Sequence, residues 1–319
     1  MMTVPSPLYD PELLALLEAS EDPRESFTPE SILTRRAEWI PAPIDEVLAG
    51  RPLSHAERTI QGFEGATITI SIIRSLQTKG AGPGFFHVHS GGMMIGNRFS
   101  GIEQLADWVE HFGGTCVSVE YRLAPEFQDP VPIEDCYAAL VYTAKHSADL
   151  GIDPTSLIVA GMSAGGGLAA GLALMARDRG GPPLVGQVLM CPMLDERNET
   201  ESSRQFSGLG LWDRESNDTG WNALLGDRRH TDQVTIYASP ALAPDLAGLP
   251  PAFVDVGSME VFRDEDIEYA RRIAAVGGDV ELHVWPGAFH GFDLAFPQAE
   301  LSRRALTARR EWLARILEA

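Results

Sequence analysis

At 319 residues the chain is long enough for one large α/β domain or two smaller ones, and 44% hydrophobic with 22% charged residues is ordinary for a soluble enzyme. A formal net charge of −20 argues against binding along a nucleic-acid backbone or on an anionic membrane surface, both of which need a basic patch. Cys116, Cys136 and Cys191 have no C-x-x-C spacing, no segment reaches 18 uninterrupted apolar residues, and Met1 to Asp10 lacks the basic-then-apolar pattern of a secretion signal, so a soluble, cytoplasmic protein without disulfides, zinc knuckles or membrane spans is the expectation.

Asp10-Pro11-Glu12 predicts a helix start, with Asp as N-cap and Pro at the first helical position, carrying Leu13, Leu14, Leu16 and Leu17. Thr28-Pro29-Glu30 predicts a second helix through Trp39, stopped by Pro41 and Pro43. Thr59 to Phe63 and Ala66 to Ser75 then read as a β-hairpin around Glu64-Gly65. Further strands are expected at Gly84 to His89, Thr115 to Tyr121, Leu157 to Ala160, Leu184 to Cys191, Ala252 to Gly257 and Val280 to Trp285. Helices are expected at Ile102 to Phe112, Ile133 to His146, Ala164 to Ala176, Phe262 to Val276 and from about Ala299 to Glu318. Strands alternating with helices, the central strands apolar on both faces, imply an α/β fold with a mostly parallel central sheet covered on both sides.

Asp195 to Tyr237 breaks that rhythm: polar and irregular, it still carries Phe206, Leu209, Leu211, Trp212 and Trp221. Forty residues without a strand inside a compact domain, with tryptophans and regular apolar spacing, read as a cap with the N-terminal helices beside it. The expected division is an N-terminal helical cap segment (1–50), a catalytic domain (51–194 and 238–319) and a cap insertion (195–237).

Leu157 to Leu168 holds an apolar strand, the pentad Gly161-Met162-Ser163-Ala164-Gly165 and the start of a small-residue helix. This is the setting a G-x-S-x-G nucleophile elbow needs, the glycines removing side chains where strand and helix nearly touch. An activated serine also needs a base, an orienting acid and donors for an oxyanion. His89-Ser90-Gly91-Gly92, between a strand and a helix, offers the amides of Gly91 and Gly92, with Ala164 after the serine supplying a third. His290, in Phe289-His290-Gly291-Phe292 beyond the last strand, stands where the base belongs.

At these residues the sequence resembles the hormone-sensitive-lipase-like, or family IV, esterases. The resemblance runs through His89-Ser90-Gly91-Gly92, Tyr121-Arg122-Leu123-Ala124-Pro125-Glu126, Gly161 to Gly166, Phe262-Arg263-Asp264-Glu265 and His290-Gly291-Phe292, and so spans most of the chain. It implies an α/β-hydrolase with a helical cap, hydrolysing carboxylic esters of short-to-medium acyl groups with the triad order serine, acid, histidine. It also implies that no metal or organic cofactor is required and that a homodimer is to be tested for. Three departures stand out. Ser90 replaces a glycine and Met93 an aromatic residue of the family's oxyanion motif, Met162 replaces the usual Asp or Thr before the serine, and the acid falls on Glu260 where the family has Asp. Asp264, one helical turn on, and Asp255, inside the strand, are rivals for that acid. Met93, Met94, Met162, Phe206, Leu211 and Trp212 are the expected pocket residues, with plain packing of the cap as the alternative.

Other readings stay open. His87-Val88-His89 puts two imidazoles on one strand face, as some metal-dependent hydrolases do. The same triad serves amidases and lactone hydrolases. A non-catalytic small-ligand receptor can share such a fold, although both Ser163 and His290 are present.

Overall fold

The computed structural model describes residues 8–20, 25–208 and 210–318; part of the stretch read for a signal, and Leu209 of the insertion, lie outside them. The chain runs α1 (Pro11–Ala19), α2 (Ile32–Glu38), α3 (Ile44–Val47), β1 (Leu53–Gln61), β2 (Thr67–Ser75), β3 (Gly82–Val88), α4 (Ile102–Phe112), β4 (Thr115–Glu120), α5 (Val131–Lys145) and α6 (Ser147–Leu150). It continues β5 (Ile152–Met162), α7 (Ala164–Arg179), β6 (Gly186–Met190), α8 (Glu201–Gln205), α9 (Arg214–Leu225), β7 (Ala252–Met259), α10 (Arg263–Ala275), β8 (Val280–Phe289), α11 (Phe292–Ala295) and α12 (Glu300–Glu318). The strands form one sheet in the order β1-β2-β4-β3-β5-β6-β7-β8, antiparallel at β1/β2 and β2/β4 and parallel from β4 onward.

The central strands are apolar on both sides because both faces are covered. On β3, Phe85 packs against Trp108 of α4 in a buried cluster that extends to Trp312 of α12, whereas its neighbour Phe86 joins the core beneath α5, α7 and α10. Both phenylalanines are fully buried, and each such side chain stabilises the fold by about 1.5–3 kcal/mol. Helix α7 is buried along Ala164 to Ala176, which suits its Ala- and Gly-rich sequence.

Local chemistry moves three expected boundaries. The first hairpin strand lies at Leu53–Gln61 rather than 59–63, because this edge strand is largely exposed and shows no apolar run; Glu64 and Gly65 turn with φ of 56° and 74°. Helix α2 starts only at Ile32: Thr28 and Ser31 close a turn on each other, the Ser31 hydroxyl accepting the Thr28 amide at 2.9 Å and donating to its carbonyl at 3.0 Å. Pro43, read as a stop, also precedes the short helix α3.

Residues 195–237 carry α8 and α9 and, among the described residues, no strand. Thr200 and Asp213 cap the two helices, accepting the amides of Ser203 and Ser216. Ser239 closes the insertion, its hydroxyl donating to the Leu194 carbonyl at 3.0 Å and accepting the Glu196 amide at 3.1 Å. The N-terminal segment lies against α9: the Phe27 amide donates to Ser216 Oγ at 2.9 Å, and Thr219 Oγ1 donates to the Phe27 carbonyl at 2.8 Å. None of the described helices is long and apolar enough to cross a membrane.

Candidate active site

Ser163 sits between β5 and α7 with φ 57° and ψ −123°, a backbone conformation that costs a non-glycine residue of order 1–3 kcal/mol and persists only where its surroundings enforce it. Here they do. Its amide donates to the Met190 carbonyl at 2.8 Å, and its own carbonyl accepts the amides of Met193 and Gly167 at 2.9 and 3.0 Å. A Cβ at Gly161 would stand 2.2 Å from the Gly165 carbonyl oxygen, and one at Gly165 would stand 2.1 Å from that of Val88. Strand and helix can cross this closely only because both positions are glycine.

The side chain of Ser163, 3% exposed, faces His290, whose Nε2 lies 2.9 Å from Oγ. His290 Nδ1 lies 3.2 Å from Oε1 of the buried Glu260, and Glu260 Oε2 accepts the amide of Gly257 at 3.3 Å. Both rivals for the acid are occupied elsewhere. Asp264 accepts the Ser202 amide at 2.8 Å and Arg263 Nε at 2.8 Å, which fastens α8 to α10. Asp255 accepts Trp285 Nε1 at 2.9 Å and forms a buried ion pair with Arg309 at 2.7 Å.

Upstream, Gly91 and Gly92 turn with φ of 116° and 60°. The Gly91 carbonyl accepts the amides of Met94 and Ile95, both at 3.0 Å, and a Cβ on Gly91 would meet the Ile95 carbonyl oxygen at 2.2 Å. Among the described residues the amides of Gly91, Gly92 and Ala164 have no acceptor, and the first two open onto the cavity that holds Ser163. Tyr121 supports this loop, its hydroxyl donating to the His89 carbonyl at 3.0 Å while its ring stacks on the His89 imidazole at 4.1 Å. Ala124 donates its amide to the Met93 carbonyl at 2.9 Å. From α2, Arg36 donates to the carbonyls of Met94 and Ala124 at 2.7 and 2.6 Å and pairs with both oxygens of Glu126 at 2.8 and 2.9 Å.

His87 and His89 are fully buried, and burial drives their pKa values down, to about 3 and about 4. His87 Nδ1 bonds Ser118 Oγ at 2.8 Å, and His89 Nδ1 donates to the Ser90 carbonyl at 2.8 Å. Among the described residues no third ligand-type side chain clusters with them. His87, on β3, is held in the core and His89, just past its end, in the glycine loop.

A cavity of about 780 Å³ opens over Ser163, His290, Gly91 and Gly92. Phe27, Leu211 and Trp212 form one wall; Trp39, Ile40, Phe99 and Leu294 carry it outward. Trp212 lies 5.4 Å from the Phe27 ring and 6.4 Å from the imidazole of His290. Of the expected pocket residues, Met162, Leu211 and Trp212 line this cavity, whereas Met93, Met94 and Phe206 do not. The tight turn at Gly91 directs both methionines into the core, where they are 0% exposed, and Phe206 is buried beside the Arg263 guanidinium. No motif in the sequence marks Arg36, Phe27, Trp39 or Phe99 as site residues. Phe27 and Trp39 flank α2, and their aromatic character in a polar stretch is the one signal they carry.

The pattern is matched in known proteins. A family profile described as alpha/beta hydrolase fold covers residues 85–294. The carboxylesterase NlhH of Mycobacterium tuberculosis is 34% identical over 79% of this chain and 81% of its own. A bacterial heroin esterase superposes with a TM-score of 0.88 at 36% identity, covering 98% of both chains. The esterase LipW from Mycobacterium marinum superposes with a TM-score of 0.85 at 31% identity, again over 98% of each.

Proposed function

Because the chain belongs to the hormone-sensitive-lipase-like carboxylesterases of the α/β-hydrolase fold, we propose that it hydrolyses short-to-medium acyl esters through an acyl-enzyme formed on Ser163. The observation that carries this reading is the unbroken relay of Glu260, His290 and Ser163 at the floor of a largely apolar cavity. Ser163 Oγ attacks the ester carbonyl carbon as His290 Nε2 takes its proton. Glu260 holds the ring with its proton on Nδ1 and stabilises the imidazolium. The oxygen of the tetrahedral intermediate is received by the amides of Gly91, Gly92 and Ala164; loss of one such donor typically costs about 10²–10³ in rate. The carbon–oxygen bond to the alcohol breaks as His290 returns the proton to the leaving oxygen. Water, deprotonated by His290, then attacks the acyl carbon and releases the acid, and Ser163 recovers its proton.

The cavity volume lies within the range of sites that hold drug-sized ligands, and the wall of Leu211, Trp212 and Phe27 suits an acyl chain. Residues 195–237, with the N-terminal helices beside them, act as the cap over this site. The test is a panel of p-nitrophenyl esters of increasing acyl length, with Ser163→Ala as control. Turnover highest for short and medium chains and absent in the variant is the expected result; no activity above the variant overturns the reading.

A further inference from the structure

Cys191, Glu260 and His290 are each the first residue past a strand, and the strands β6, β7 and β8 are adjacent and parallel in the sheet. The topology therefore presents a thiol, a carboxylate and an imidazole side by side. One ligand atom from each lies within 4.8 Å of the other two. Cys191 is fixed in place by its amide, which donates to the Asp255 carbonyl at 2.7 Å, and it is 6% exposed against 1% for Glu260. Nothing in the ester-hydrolysis mechanism uses its sulfur.

We propose that these three side chains form an inhibitory binding site for a thiolate-seeking divalent cation, Zn²⁺ or Cd²⁺. The 3.2 Å between His290 Nδ1 and Glu260 Oε1 is close to the spacing of about 3.3 Å that two ligands take around one tetrahedral zinc ion with bonds of roughly 2.0–2.1 Å. The charges also match: a carboxylate, a thiolate and a neutral imidazole neutralise a dication, so the complex brings no net charge into a buried site. His290 lines the catalytic cavity, which gives the ion its route in. On binding, the Cys191 thiol releases its proton to solvent, the metal takes the Nδ1 lone pair, and the ring proton moves to Nε2. An imidazole protonated there cannot accept the proton of Ser163, so hydrolysis stops. This consequence rests on the proposed role of His290 as the base.

The experiment uses the full-length protein, treated with EDTA and returned to metal-free buffer, and titrates it with CdCl₂ and ZnCl₂. Cadmium–thiolate charge-transfer absorption in the ultraviolet reports the site, and p-nitrophenyl ester hydrolysis reports inhibition. One equivalent of Cd²⁺ is expected to raise the band, and both ions to suppress turnover reversibly by EDTA. Removing even a group that supports a metal ligand costs about 10–100-fold in affinity, so Cys191→Ala should weaken inhibition by at least about 100-fold and lose the band. Cys191→Ser, closer in volume, repeats the comparison should the alanine variant fold poorly. Equal inhibition of these variants and the wild type, or a band that survives them, overturns the proposal, as does a band that forms without loss of turnover. Absorption titration of Ser163→Ala separates this from the catalytic reading: a Ser163→Ala protein that still hydrolyses esters sinks that reading while the band continues to report the metal site.

Discussion

His290 and Glu260 are joined by a 3.2 Å contact from Nδ1 to Oε1, and the other oxygen of the same carboxylate is held by the Gly257 amide at 3.3 Å. The Glu260→Gln side chain carries no charge to stabilise an imidazolium, and its amide can donate to Nδ1 and hold the wrong tautomer. The variant's kcat is expected to fall by roughly 10²–10⁴ with little change in KM, as the equivalent Asp→Asn change, which sets the wrong tautomer, costs about 10⁴. Asp264→Asn should leave turnover near that of the wild type, because its contacts are to Ser202 and Arg263. Steady-state kinetics on both variants decide the matter; the reverse pattern reassigns the acid.

A methyl group on Gly92 would meet Trp212 at 2.4 Å, at a φ of +60°. Gly92→Ala is therefore expected to displace both the amide and the cavity wall, lowering kcat by about 10²–10³. Gly50→Ala is the control: its φ is +74°, but nothing lies within 4 Å. It should lower the melting temperature slightly through backbone strain of about 1–2 kcal/mol and leave kcat unchanged.

Arg36 holds the carbonyls on either side of the gap between the glycine loop and the Ala124 turn. Arg36→Met removes both bonds and the pairing with Glu126, each a charged-donor contact of about 1.5–3 kcal/mol before discounting its partial exposure. The expected result is a fall in kcat with an equal fall in affinity for a trifluoromethyl ketone, which needs the oxyanion donors, and little change in KM. Arg36→Lys should recover part of the loss. A change in thermal stability alone, with the ketone bound as before, would reduce Arg36 to a structural role.

Asp266 is fully buried, and neither of its carboxylate oxygens has a hydrogen-bond partner among the described residues. Burial, with Glu265, Glu260 and Asp255 nearby, pushes this carboxyl well above its ordinary value of 3.8, so the folded chain holds its proton to higher pH than the unfolded one. Its contribution to stability is complete below the ordinary value and drains away as pH rises toward the folded one, because the unfolded chain releases the proton first. Asp266→Asn cannot release it. Urea unfolding at pH 5 and pH 8 should therefore show the variant gaining on the wild type as pH rises, by up to about 1.4 kcal/mol per unit. A constant difference between the two pH values would refute a protonated Asp266.

The alternation of strands and helices was legible because the apolar runs of the central strands report burial on both faces, as at Phe85 and Phe86. The first half of β1, ahead of Thr59, was not, since an edge strand is held largely by its backbone ladder with β2 and leaves no apolar imprint. Ser163 stood out by its pentad between strand and helix and His290 by its order along the chain, whereas Glu260 was reached only through the resemblance to the family IV esterases. That Asp264 turns toward Ser202 depends on where α8 lies, which no local pattern encodes. Met93 and Met94 misled because they follow the glycines directly, whereas the turn at Gly91 points them inward. Arg36 gave no sign at all: an arginine on a short helix is usually solvated, and its partners are 58 and 88 residues away.

With Ser163 as the proposed nucleophile and His290 as the proposed base, the distance between them along the chain sets a timetable for synthesis. Ser163 and His290 are separated by 127 residues, which a ribosome adds in roughly 6–25 s at about 5–20 residues per second. Throughout that interval Ser163 has left the peptidyl-transferase centre while His290 is still unmade. On the proposed mechanism the growing polypeptide is thus inert toward esters until β8 is laid along the edge of the sheet.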